Sequence, residues 1–142
     1  DALCFAERKG FTRIIDVATL TGAVRTALGD KYIGIFGNDP VFTSEVLKAG
    51  NCQGEKMWEL PTDHGYLEQL NSDVADIKNS GGPSAGSITG AMFIGKFADK
   101  ASWVHLDIAA VSKIMSVVGY QVKGATGVGV RSLIYLCELR SN

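Results

Sequence analysis

Apolar positions along the chain fall into short runs separated by breaks rich in glycine, proline and asparagine, and their spacing predicts strands alternating with helices. Asp1–Gly10 is a run of helix-forming residues closed by a glycine where a helix stop belongs. Thr12–Val17 is rich in β-branched and apolar residues, as a sheet interior prefers, and predicts a strand. It passes through two threonines and Gly22 into Ala23–Leu28, a helix turn stopped by Gly29. Lys31–Phe36 reads as a second short strand, closed by Gly37, Asn38, Asp39 and Pro40. Pro40 suits the first position of a helix with Asp39 as its cap; Phe42, Val46 and Ala49 share one face, and Gly50 to Gly54 end it.

Further on, Met57–Pro61 is expected to be extended, Tyr66–Leu70 a brief helix and Val74–Ile77 another short strand. The loop Asn79–Ser87 leads into Ile88–Ala98, which is apolar on most faces and predicts a buried helix. Trp103–Ile108 has strand periodicity, and Ser112–Lys123 is expected to be loosely ordered. Gly124–Gly129 precedes a last helix whose expected apolar stripe is Val130, Leu133, Ile134 and Cys137. Strands alternating with helices, without repeat or linker, predict an α/β fold: a three-layer sandwich with a central mixed sheet flanked by helices.

Composition narrows the classes. The 142 residues suit one domain or part of one, long enough to bury a core. A hydrophobic content of 46% and a net charge of −1 argue against a disordered tail and a nucleic-acid module. No apolar run is long enough to span a bilayer, and no signal peptide or lipidation motif is visible. Cys4, Cys52 and Cys137 are widely spaced without a C-x-x-C pair, as expected of reduced thiols in a cytosolic protein. The opening on Asp1, within a helix that lacks its own cap, suggests a fragment of a larger α/β domain.

The candidate chemistry is sparse. The turn Thr19–Gly22 follows a strand at the carboxyl end of a sheet, where open α/β sheets place ligands, and reads as one wall of a site. His105 and Asp107 lie two apart on one strand and share a face, which fits metal ligands or, as the favoured reading, a satisfied buried polar pair. Asp16 and Asp107 are carboxylates inside apolar strands, whereas Asp73, Asp76 and His64 read as loop or edge residues. No G-x-S-x-G elbow exists, and Ser84 to Ser87 follow a Gly/Pro loop instead of a strand. The glycines of Gly81–Gly90 allow a phosphate-binding loop, but the P-loop lysine is missing; close packing of two elements explains them as well. No two-metal cluster can be built from this chain alone.

Several stretches resemble the leucyl (cytosol) aminopeptidase family of dinuclear metallopeptidases. Asp1-Ala-Leu resembles the residues just after that family's N-T-D-A-E-G-R-L signature, and Asp16–Ala23 resembles its D-x-A-T-L-T-G-A segment. Gly54-Glu55 with Trp58 and Leu60-Pro61 resembles G-E-x-x-W-x-L-P, and Ala75-Asp76 with Asn79 resembles A-D-x-x-N. Ala85–Thr89 is similar to A-G-S-I-T, Trp103–Ala109 to W-x-H-L-D-I-A, and Gly124–Val130 to G-A-T-G-x-G-V. The matches run in the family's order over nearly the whole chain.

The resemblance implies the C-terminal part of a catalytic domain (residues 1–142), with the N-terminal domain and the metal-binding segment absent. It implies hydrolysis of N-terminal residues from peptides with the help of two divalent ions, zinc or manganese, with a bicarbonate nearby. No catalytic residue and no metal ligand is expected in this chain. Thr19, Leu20, Gly22 and Ala109 are implied to border the substrate, and Ser112, where some members carry methionine, implies a more polar pocket floor. A cytoplasmic homohexamer follows from the same resemblance, with peptide substrates, no nucleic acid and no membrane as partners. The alternatives are a non-catalytic relative that keeps the fold, and a phosphate-binding α/β module using the Gly81–Gly90 loop.

Overall fold

A computed structural model describes residues 1–117 and 119–141, apart from the side chains of Arg140 and Ser141; Val118 and Asn142 lie outside the described residues. Four strands form the central sheet: β1 (Arg13–Ala18), β2 (Ile33–Gly37), β3 (Met57–Glu59) and β4 (Ser102–Asp107). Their order is β1-β4-β2-β3; β1 runs parallel to β4, β4 antiparallel to β2, and β2 parallel to β3. Around them lie α1 (Ala2–Arg8), α2 (Gly22–Leu28), α3 (Pro40–Cys52), α4 (Gly86–Gly95) and α5 (Val130–Ser141), with a 3₁₀ segment at His64–Leu70. The mixed three-layer sandwich expected from the alternation of elements is therefore observed.

The pleat divides the core in two, because successive side chains of a strand face opposite ways. Ile33, Ile35, Val104 and Leu106 pack against Phe42, Val46 and Ala49 of α3 and Leu136 of α5. On the other face, Phe36 and Trp103 meet Leu3 of α1 and Ile88, Ala91 and Met92 of α4. Each fully buried aliphatic or aromatic side chain is worth roughly 1.5–3 kcal/mol of transfer free energy, so both faces contribute.

Helix ends follow local chemistry. Asp39 caps α3 by accepting from the Val41 and Phe42 N–H groups at 2.9 and 3.3 Å, with Pro40 as the first helical residue. Gly10 takes a positive φ of 86° just after α1, as the sequence predicts. The start of α5 is held from a distance. The Glu55 carboxylate, 5% exposed, accepts from the N–H groups of Gly129 and Ser132, each at 3.0 Å, and from the Ser132 hydroxyl.

Three expectations are corrected. Val74–Ile77 is not a strand: Val74 is exposed, and the Ser72 hydroxyl takes the N–H groups of Val74 and Ala75 at 3.3 and 3.1 Å. That local turn competes with a ladder for the same donors. The stripe on the last helix is rotated, with Ser132 and Leu136 buried and Val130, Ile134 and Cys137 turned outward. Fixing Ser132 to Glu55 sets that rotation. At the start of Ser112–Lys123, Lys113–Ile114 forms β5, which pairs antiparallel with β6 (Gly124–Ala125) beyond the segment. Among the boundaries, α3 runs past Gly50 to Cys52, and Ile88–Ala98 becomes Gly86–Gly95. No disulfide joins Cys4, Cys52 or Cys137.

Two carboxylates tie helix ends to the entry of β4. Glu7 accepts from the N–H groups of Ala101 and Lys100, and these bonds lower its pKa. The Ser102 hydroxyl and then the Phe42 N–H lower that of Asp39. A carboxyl depressed in the folded state adds stability above its ordinary pKa, and that stability is lost as pH falls through the folded value. The urea midpoint should therefore drop between about pH 5 and pH 2, and Asp39→Asn should flatten that slope while lowering the midpoint near neutrality. An unchanged slope in the variant would count against this cap.

Candidate functional site

The parallel strands β1 and β4 end in register, Ala18 opposite Asp107, so the segments that follow them leave the same edge of the sheet side by side. A further bond, Ile108 N–H to the Ala18 carbonyl at 2.9 Å, carries the pairing past the last strand residue. Asp107 has no exposure to solvent, an expensive place for a carboxylate unless it is fully bonded. It is. One oxygen accepts from the N–H groups of Leu20 and Ala109, both at 3.1 Å. The other accepts from the N–H of Thr21 at 3.2 Å and from its hydroxyl at 2.7 Å.

The Thr21 hydroxyl also accepts from the Val24 N–H at 3.1 Å, capping α2. One carboxylate thereby joins the turn after β1, the start of α2 and the turn after β4. The outer side of this arrangement is open: Thr19, Leu20 and Gly22 are exposed and Ala109 is half-buried. Of the residues implied to border a substrate, the structure brings the three turn residues and Ala109 to one sheet edge. The N–H of Leu20 is committed inward to Asp107, which leaves it unavailable to a ligand.

His105 and Asp107 share a face of β4 but are not a pair, which corrects the reading of them as partners. His105 Nδ1 meets Asp16 Oδ1 at 2.5 Å across the β1–β4 ladder, and the Trp103 indole N–H donates to Asp16 Oδ2 at 2.6 Å. The ring lies against Phe36 and stacks on Trp103, and its Nε2 is buried with no hydrogen-bond partner. Both strand aspartates thus have structural work: Asp16 with the rings of His105 and Trp103, Asp107 with two turns. Among the described residues no group of three or more His, Cys, Asp or Glu is placed to hold a metal ion.

Gly81, Gly86 and Gly90 answer to packing, whereas Gly82 has open space beside it and takes a positive φ of 96°. A Cβ at Gly90 would lie 2.9 Å from Thr21 Cγ2 and 3.5 Å from Leu20 Cδ2, and one at Gly86 would lie 3.1 Å from Ala23 Cβ. The small face of α4 is therefore pressed against the turn, and a Cβ at Gly81 would meet the Thr89 side chain at 2.9 Å. A cavity of about 400 Å³ opens elsewhere, between Gly37, Trp103, Met92, His64 and Lys96. Gly37 pairs with Val104 near the start of β4, so this cavity sits at the opposite end of the sheet from the Thr19–Gly22 turn. What the sequence left unread here is the reach of Asp107; its only signal was a carboxylate inside an apolar strand.

Comparison with known proteins gives the family and the fold. Residues 1–134 match the family described as "Cytosol aminopeptidase family, catalytic domain". A "Probable cytosol aminopeptidase" of Synechococcus sp. (strain JA-2-3B'a(2-13)) is 50% identical over 134 residues, which are 94% of this chain and 26% of that protein. One of Geotalea uraniireducens (strain Rf4) is 49% identical over 141 residues, 99% of this chain and 28% of that protein. The chain thus spans about a quarter of the length of these curated relatives. A solved structure of a mutant tomato leucine aminopeptidase superposes with a TM-score of 0.88 at 41% identity, over 96% of this chain and 26% of that one.

The packing of α4 against the turn generates a test. Gly90→Ala improves helix propensity yet drives a methyl into Thr21, so the expected net effect is a loss of about 1–3 kcal/mol in urea unfolding. A stabilised Gly90→Ala would show that the turn is not held against α4.

Proposed function

We propose that this chain, which belongs to the cytosol aminopeptidase family, is the C-terminal part of a catalytic domain that removes N-terminal residues from peptides. The match of residues 1–134 to that family's catalytic domain carries the reading. The open turn at the sheet edge supports it with a place for the substrate. Thr19, Leu20 and Gly22 form one wall beside Ala109, and the chain's part in the reaction is to hold the peptide and orient its scissile bond. No helix among the described residues is long and apolar enough to cross a membrane.

In this reading the two divalent ions, zinc or manganese, and a bicarbonate are held by polypeptide outside these residues. The chain's own strand carboxylates do not fit such a centre: Asp16 is taken by the His105 and Trp103 rings and Asp107 by four donors in two turns. The substrate is a peptide with a free amino terminus, and the longer protein works as a homohexamer in the cytoplasm.

The protein that carries this chain within a full catalytic domain should hydrolyse leucine amide when loaded with manganese or zinc, while residues 1–142 alone should not. Turnover by the 142-residue chain would overturn the division of labour. An inactive, metal-free longer protein would instead point to a relative that keeps the fold without the chemistry. Gly22→Val tests the wall directly. A Cβ there meets no atom within 4 Å, so the fold should tolerate it while the cleft is obstructed. The expected result is a rise in KM of about tenfold or more with an unchanged melting temperature.

A further inference from the structure

We infer that Asp107 is a positioning residue for the substrate, setting the distance between the two walls of the site through the backbone N–H groups it holds. The inference rests on the aminopeptidase reading given above and adds a residue to it. Leu20 and Thr21 belong to the wall after β1, and Ala109 to the wall after β4. The two walls come from parts of the chain nearly ninety residues apart, 87 for the Leu20 bond and 86 for the Thr21 bonds. Both segments have left the ladder by this point, after the last bond from Ile108 to Ala18. Beyond it, the Asp107 carboxylate holds both walls at once.

The group suits the task. A carboxylate has only acceptors, and all four partners here are donors. Bonds from N–H groups to a charged acceptor are stronger than neutral ones, and water cannot compete where the carboxylate has no exposure. Thr21 adds a second point of attachment, because its hydroxyl donates to Asp107 while capping α2. A shift of the turn toward solvent would break the carboxylate bonds and the helix cap together. The wall is thereby set before any substrate arrives, which is the condition for orientation to contribute to rate.

Asp107→Asn is nearly isosteric and isolates the effect. Its single acceptor oxygen can serve Leu20 and Ala109, but its NH₂ group then faces the N–H of Thr21, donor against donor. In the full-length, metal-loaded enzyme acting on leucine amide, kcat should fall by about ten- to hundredfold while KM moves by less than about threefold. Thr21→Val, which keeps the bulk and loses the hydroxyl, should fall part of the way, and Thr21→Ser should restore the rate. These two keep the test open should Asp107→Asn fail to fold.

Glu55→Gln is the control. Glu55 is likewise a buried carboxylate holding two N–H groups and a hydroxyl, but at the start of α5, so its variant should melt lower with wild-type kinetics. If Asp107→Asn and Thr21→Val keep wild-type kcat per folded molecule, or lose no more than Glu55→Gln, Asp107 is only structural and the inference falls. A wild-type enzyme inactive on leucine amide would overturn the aminopeptidase reading itself, and this inference with it.

Discussion

A carboxylate shut away from water must be surrounded by donors, and the architecture at the carboxyl ends of β1 and β4 follows from that demand. Asp107 closes β4, and its two oxygens collect the N–H groups of Leu20, Thr21 and Ala109 and the hydroxyl of Thr21. Nothing apolar could replace it without taking from those part-buried donors their common partner, at a cost of up to about 1–3 kcal/mol each. The same residue that ends a strand therefore dictates the path of two turns and the entry of a helix.

The sheet makes this possible through a choice of direction. Because β1 and β4 are parallel neighbours, their carboxyl ends meet at one edge, whereas the antiparallel β2 delivers Gly37 to the other. The cavity of about 400 Å³ sits at that second edge, while the open turn sits at the first. Strand polarity and the hydrogen bonds of one aspartate bring the turns after β1 and β4 together at the first end.

Much of the fold was legible in residue order. Asp39-Pro40 announced α3, Gly10 and Gly29 marked helix stops, and the apolar run after Gly86 lies buried in α4. What escaped were features decided across distance. The rotation of α5 depends on Glu55, more than seventy residues earlier (77 from Ser132), and no local stripe could reveal it. Val74–Ile77 carried apolar residues but no partner strand, so Ser72 claimed its donors instead. At the site, Thr19, Leu20, Gly22 and Ala109 came from motif resemblance. The reason Asp107 tolerates its apolar strand needed coordinates, because its partners lie in another part of the chain.

One feature of the sheet also governs how the chain behaves in a test tube. β1 lies at an edge, a six-residue strand paired only with β4 among the described residues. Exposed Val17 and Phe11 lie along and beside it. A free row of backbone donors and acceptors next to apolar side chains is a template for any extended segment that drifts past. Aggregation of these 142 residues should consequently be steeply concentration-dependent and begin at this strand, and handling the chain dilute is a requirement of its geometry.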